Sequence, residues 1–172
     1  MPAVQIAVCG PRECTEAEAE NARIAGALLA EAGVTVLCGG GDGVMAAVAA
    51  GASAAGGLVI GIRPDDDPAT ACAGLSAVIR TNMGEARNAI LVSSADAVIV
   101  IGGSWGTLSE FALAHRRGTV PVITLGGWQV SDSTGAPVPD PSIIAHTPAQ
   151  AVQHALSRIA ATESQAHQDN SR

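Results

Sequence analysis

The stretch Asp96-Ala97-Val98-Ile99-Val100-Ile101-Gly102-Gly103-Ser104-Trp105-Gly106-Thr107-Leu108-Ser109-Glu110 decides how this chain folds. An apolar, β-branched run from Ala97 to Ile101 stops at a glycine-rich turn, and a helical pattern starts at Thr107. A strand that feeds a glycine loop and then a helix is an anion-binding arrangement. The glycines let backbone N–H groups approach an anion closely, and the helix N-terminus adds partial positive charge. Glu110 follows one turn into the helix. A phosphate cradle needs no acid there, so the acid points to chemistry beside the phosphate.

Outward from that stretch, strands and helices alternate. Val4 to Val8 reads as a strand, and Thr15 with Glu18 forms a capping-box pattern for a helix ended by Gly33. Val34 to Leu37 is a second strand, followed by Gly39-Gly40-Gly41-Asp42-Gly43 and an Ala-rich helix from about Val44 to Ala55. Leu58 to Ile62 and Ala77 to Arg80 are further strands. Asn82 is read as the cap of a helix over Glu85 to Ser94, before the fifth strand, Asp96 to Ile101. A helix from Thr107 to about Arg117 and a strand from Val120 to Leu125 follow. Thr134 to Pro141 is a Pro/Gly loop, and Pro148 opens a last helix to about Ala161. The strands are continuously apolar, which marks a parallel sheet covered on both faces. The expectation is a single-domain α/β protein, a Rossmann-like doubly wound parallel sheet over residues 1–161, with a flexible C-terminal tail at 162–172.

Composition narrows the function. At 172 residues and 48% apolar, the chain can bury a real core. Its net charge is −7, which argues against binding nucleic acid or an anionic membrane surface. All nine basic residues are Arg, so neither a P-loop lysine nor Schiff-base chemistry is available. The four cysteines form no C-x-x-C pair, so no metal site is expected, although Cys9 and Cys38 end strands and could line a pocket. The start, M-P-A-V-Q-I, lacks the charged and apolar regions of a secretory signal, and a cytoplasmic location is expected.

In a parallel sheet of this kind, ligands bind beyond the carboxyl ends of the strands. Four groups sit there: Cys9 to Arg12, Gly39 to Gly43, Arg80 to Gly84, and Gly102 to Thr107. Arg12 is a candidate for anion binding. Gly40, Gly41 and Gly43 make one glycine loop, and Gly102, Gly103, Ser104, Trp105, Gly106 and Thr107 make the other. Trp105 is too large to bury easily in a tight turn and is read as flanking the ligand or covering the phosphate, whereas Trp128 fits ordinary packing. The Ala-rich second helix could pack against a twin subunit or on its own sheet.

Together these positions resemble the lonely-guy (LOG) family, the "lysine decarboxylase-like" Rossmann superfamily, whose hallmarks are P-G-G-x-G-T-x-x-E and an upstream R-K. Gly103 to Glu110 matches the first motif, with Gly102 in the Pro place and Ser104 in the second Gly place. Arg87 falls at the family's Arg, and Asn88 replaces its Lys. Gly39-Gly40-Gly41, with Gly43-Val44-Met45, resembles G-G-G-x-x-G-L-M shortened by one residue. T-N-M-G-E-A-R-N with I-G-G-S-W-G-T-L-S-E is closer to a side branch that resembles the molybdenum cofactor carrier proteins. The resemblance implies two alternatives. One is a phosphoribohydrolase that releases base and ribose 5-phosphate from a nucleoside 5′-monophosphate. There Glu110 would stabilise charge on the ribose, and Arg87 would hold the ligand and keep Glu110 ionised. The other is a non-catalytic carrier that requires no cofactor of its own and carries molybdenum cofactor or another phosphorylated pterin or nucleotide. In both, the ligand is a phosphorylated small molecule held by the N–H groups of Gly103 to Thr107 and the Thr107 hydroxyl. A homodimer or homotetramer is expected on the same grounds.

Overall fold

β-branched and alanine-rich runs form seven parallel strands wrapped by five helices in this computed structural model, which describes residues 3–169. In chain order the elements are β1 (Gln5–Cys9), α1 (Glu16–Glu31), β2 (Thr35–Cys38), α2 (Val44–Ala54), β3 (Val59–Arg63), β4 (Ala77–Arg80), α3 (Arg87–Ser93), β5 (Ala97–Ile101), α4 (Trp105–Arg117), β6 (Val122–Leu125), β7 (Ile143–Ala145) and α5 (Pro148–Asp169). Met1, Pro2 and the last three residues of the expected tail lie outside the described residues.

The strand order is β4-β3-β2-β1-β5-β6-β7, with every pairing parallel. This is the doubly wound Rossmann-like sheet that the sequence implied. Alternate residues of a strand face opposite sides, and the core divides accordingly. Ile6, Val8, Ile99 and Ile101 join α1, α2 and α5 on one face. Ala7, Cys9, Val98 and Val100 join Leu91, Val92 and Ala114 of α3 and α4 on the other. The chain first winds outward from β1 to β4 and then returns to start again at β5. The switch point therefore lies between β1 and β5, and the crevice beyond their carboxyl ends is where such folds bind ligands.

Several local expectations need correction. Asn82 does not cap a helix: it sits at φ 50. A 3-10 turn at Gly84–Ala86 follows, and α3 begins only at Arg87, without a side-chain cap. α4 begins at Trp105, two residues before Thr107, because Ser104 is its N-cap. β7 is an edge strand of three residues, too short to show a pattern. α5 runs to Asp169, past the Ala161 end. The Ala-rich helix α2 packs on α1 as well as on the sheet. A Cβ on Gly51 would lie 1.9 Å from the Arg23 carbonyl oxygen, and one on Gly26 2.3 Å from that of Val48. The two helices touch backbone to backbone. The Thr15–Glu18 capping box forms as expected.

Candidate functional site

The buried polar side chains map the site. They are Thr35, Arg63, Arg87, Asn88, Thr107 and Glu110, and all except Thr35 lie at the carboxyl-end crevice. Buried polar groups normally have hydrogen-bond partners. Here Arg63 Nε, Arg87 Nε and Asn88 Oδ1 are buried without one.

The loop after β5 forms the first wall. Gly102 adopts φ 69, and a Cβ there would lie 2.2 Å from the Glu18 carboxylate, so no other residue fits comfortably. Ser104 then caps α4. Its Oγ accepts the Thr107 N–H at 3.2 Å and shares a 2.9 Å hydrogen bond with the Thr107 hydroxyl. Both Thr107 groups expected to hold a phosphate are thus engaged by Ser104, and Thr107 is only 3% exposed. The N–H groups of Trp105 and Gly106 belong to the first helical turn and have no intrahelical partner.

Trp105 is 79% exposed and meets Trp128 edge to face, with ring centroids 5.2 Å apart. The Trp128 indole lies over Gly103, where a Cβ would come within 2.4 Å of it. Trp128 is therefore part of the loop wall and not remote packing. Between loop and indole is a hollow of about 20 Å³, the size of one water. Larger hollows of about 320 and 380 Å³ lie at the opposite, amino-terminal end of the strands, near His115 and Asp96 respectively.

Under the loop, Arg87 Nη1 donates to Glu110 Oε1 at 3.3 Å, and both side chains are buried. Burial raises the Glu110 pKa; Arg87 and the Cys9 thiol lower it, and the balance leaves it at about 7. Arg87 thus does not keep Glu110 fully ionised at neutral pH, because desolvation outweighs the ion pair. Burial pushes the Cys9 thiol well up, with Glu110 adding to the effect, and pushes Cys38 up to about 12. Both thiols stay protonated, so neither is a ready nucleophile. Among the described residues, no cluster of three or more His, Cys, Asp or Glu side chains could hold a metal ion.

The turn after β2 forms the second wall. Gly39 lies against the Arg87 guanidinium, and Gly41 against the Arg63 guanidinium and Met45. Gly40 adopts φ 67 beside Arg63. Gly43, at φ 65, packs on the Pro11 and Arg12 carbonyls, so Arg12 sits exposed at the mouth. Sequence reasoning missed Arg63. Its signal was a charged residue closing an otherwise apolar strand, V-I-G-I-R. Asn88, in the family's Lys place, is buried and donates weakly to Glu85 and Ser109 at 3.4 Å each.

Residues 3–154 match the SLOG cluster4 family. An uncharacterized protein of Archaeoglobus fulgidus is 44% identical over 119 residues, covering 69% of this chain and 78% of the relative. Among solved structures, the molybdenum cofactor binding protein of the phototrophic bacterium Rippkaea orientalis is 34% identical with a TM-score of 0.81. It covers 92% of this chain and 99% of its own. The molybdenum cofactor carrier protein of Chlamydomonas reinhardtii is 29% identical with a TM-score of 0.77, over 92% and 99% of the two chains.

Proposed function

The chain belongs to the SLOG cluster4 family, and from that premise we propose that it binds and carries a phosphorylated pterin of the molybdenum cofactor kind. The observation that carries this reading is the burial of Glu110. It is 5% exposed and faces Arg87 and Cys9, a place that suits bracing the site floor better than meeting a ribose. The phosphate would rest on the Gly102–Thr107 loop, where α4 supplies free N–H groups and dipole. The flat pterin would lie along Trp105, whose ring is open to it. Close similarity to the Rippkaea orientalis and Chlamydomonas reinhardtii proteins supports the same cargo. The test is to mix purified protein with molybdenum cofactor released from a molybdoenzyme, separate by gel filtration, and identify the retained pterin by mass spectrometry. Retention at one pterin per subunit is expected, and no retention ends this reading. Light scattering in the same run tests the expected homodimer or homotetramer.

Hydrolysis of a nucleoside 5′-monophosphate is the second reading, and the elevated pKa of Glu110 favours it. An acid that titrates near 7 can exchange protons at physiological pH. Incubation with AMP and related nucleotides, followed by chromatography of the free base, decides the matter. Turnover that Glu110→Gln cuts by several orders of magnitude supports hydrolysis. Absence of base release across the panel removes it.

A further inference from the structure

Among the described residues, Arg63 and Arg87 are the buried arginines, and both converge on one turn. A Cβ on Gly39 would lie 2.7 and 2.9 Å from Nη1 and Nη2 of Arg87, and one on Gly41 would lie 3.0 Å from Nη1 of Arg63. Neither guanidinium is satisfied. Arg63 Nη2 donates to Asp65 at 2.6 Å and Thr70 at 2.8 Å, and Arg87 Nη1 donates to Glu110 at 3.3 Å. Nε of each is buried with no partner. A guanidinium offers a fork of N–H donors, and leaving them unpaired inside a protein is costly.

The charge balance points the same way. Asp65 is held low by its hydrogen bond from Arg63, so it is a full counter-charge. Glu110 is not, because burial pushes it up to about 7. Two fixed positive charges therefore face less than two negative ones. Buried charge without a partner is unstable, and an arriving anion relieves it.

We infer that the Gly39–Gly41 turn, walled by Arg63 and Arg87, is a second anion-binding subsite, and that the natural ligand carries an anionic group at each end. This rests on the phosphate-binding reading of the Gly102–Thr107 loop. Only β1 separates β2 from β5, so the two subsites lie about 10 Å apart, two strand spacings. The ligand class is a small molecule with a phosphate monoester at one end and a second oxyanion roughly that far away. Asp65, half-buried beside Arg63, is the carboxylate that the second oxyanion would join or displace. Arg63 contributes a fork suited to two oxygens, and the missing side chains of Gly39 and Gly41 let both guanidinium tips lie against the turn backbone.

The experiment is calorimetric titration with alkyl monophosphates and with α,ω-alkanediol bisphosphates of increasing length. The bisphosphate that spans the two subsites should bind at least about tenfold tighter than its monophosphate, because the second contact becomes intramolecular. Arg63→Gln should abolish that advantage, bringing the bisphosphate down to the affinity of its monophosphate. If Arg63→Gln does not fold, Gly41→Ala tests the same point, since its methyl intrudes on the tip of Arg63 and should shrink the advantage. Equal binding of bis- and monophosphates by the wild type overturns the second subsite alone. Failure of every monophosphate to bind overturns the first subsite, and with it the carrier reading.

Discussion

Ser104 stands where the family's glycine is expected, and the structure shows what the change does. Its hydroxyl accepts the Thr107 N–H and shares a hydrogen bond with the Thr107 hydroxyl, so the loop is closed by its own cap. Ser104→Gly should free both groups and tighten inorganic phosphate binding about tenfold. Its cost should be a few tenths of a kcal/mol, since glycine is itself a tolerable cap. Phosphate titration beside thermal melting measures both effects, and unchanged affinity overturns the idea. Glu110 makes a second prediction. In the fold it keeps its proton up to about pH 7, against 4.5 for the free acid. The folded state therefore binds the extra proton between those values. Its contribution is complete below about 4.5, declines as pH rises toward 7, and is flat above. The span is on the order of 3 kcal/mol. Denaturant midpoints at about pH 5 and pH 8 should fall for the wild type relative to Glu110→Gln. Parallel profiles would show that Glu110 ionises normally.

At the scale of elements, two glycines join α1 to α2. The Gly26 and Gly51 Cα atoms lie so close to the Val48 and Arg23 carbonyls that a methyl on either forces the helices apart. Gly26→Ala and Gly51→Ala should each destabilise by about 2–3 kcal/mol, although alanine is the better helix former. A chemical denaturation series checks the sign, and a gain in stability would contradict the contact. These glycines were not legible in the sequence, because a glycine within an alanine-rich helix looks like composition. The strands were legible, because continuous β-branched runs such as Ala97–Ile101 have few alternatives. The start of α3 was not. Asn82 is a good cap by type, but the chain spends it at positive φ and delays the helix by a 3-10 turn.

For the whole molecule, net charge and topology decide what can approach. At −7, the protein should not retard single-stranded DNA in a mobility-shift assay at physiological salt. A clear shift would remove the small-molecule assignment. No helix among the described residues is long and apolar enough to cross a membrane. The glycine loops and Arg87 with Glu110 could be read from motifs and spacing. Arg63 showed only as a charge closing an apolar strand, and its place at the turn depends on β3 lying beside β2, a relation that only the folded sheet creates. The same folding brings Trp105 and Trp128 to one loop from separate parts of the chain, and they are the only two tryptophans in it. Ultraviolet emission from this protein is thus a signal from a single place. Any quenching or spectral shift on titration reports the glycine loop directly, with no label attached and no background from elsewhere in the fold.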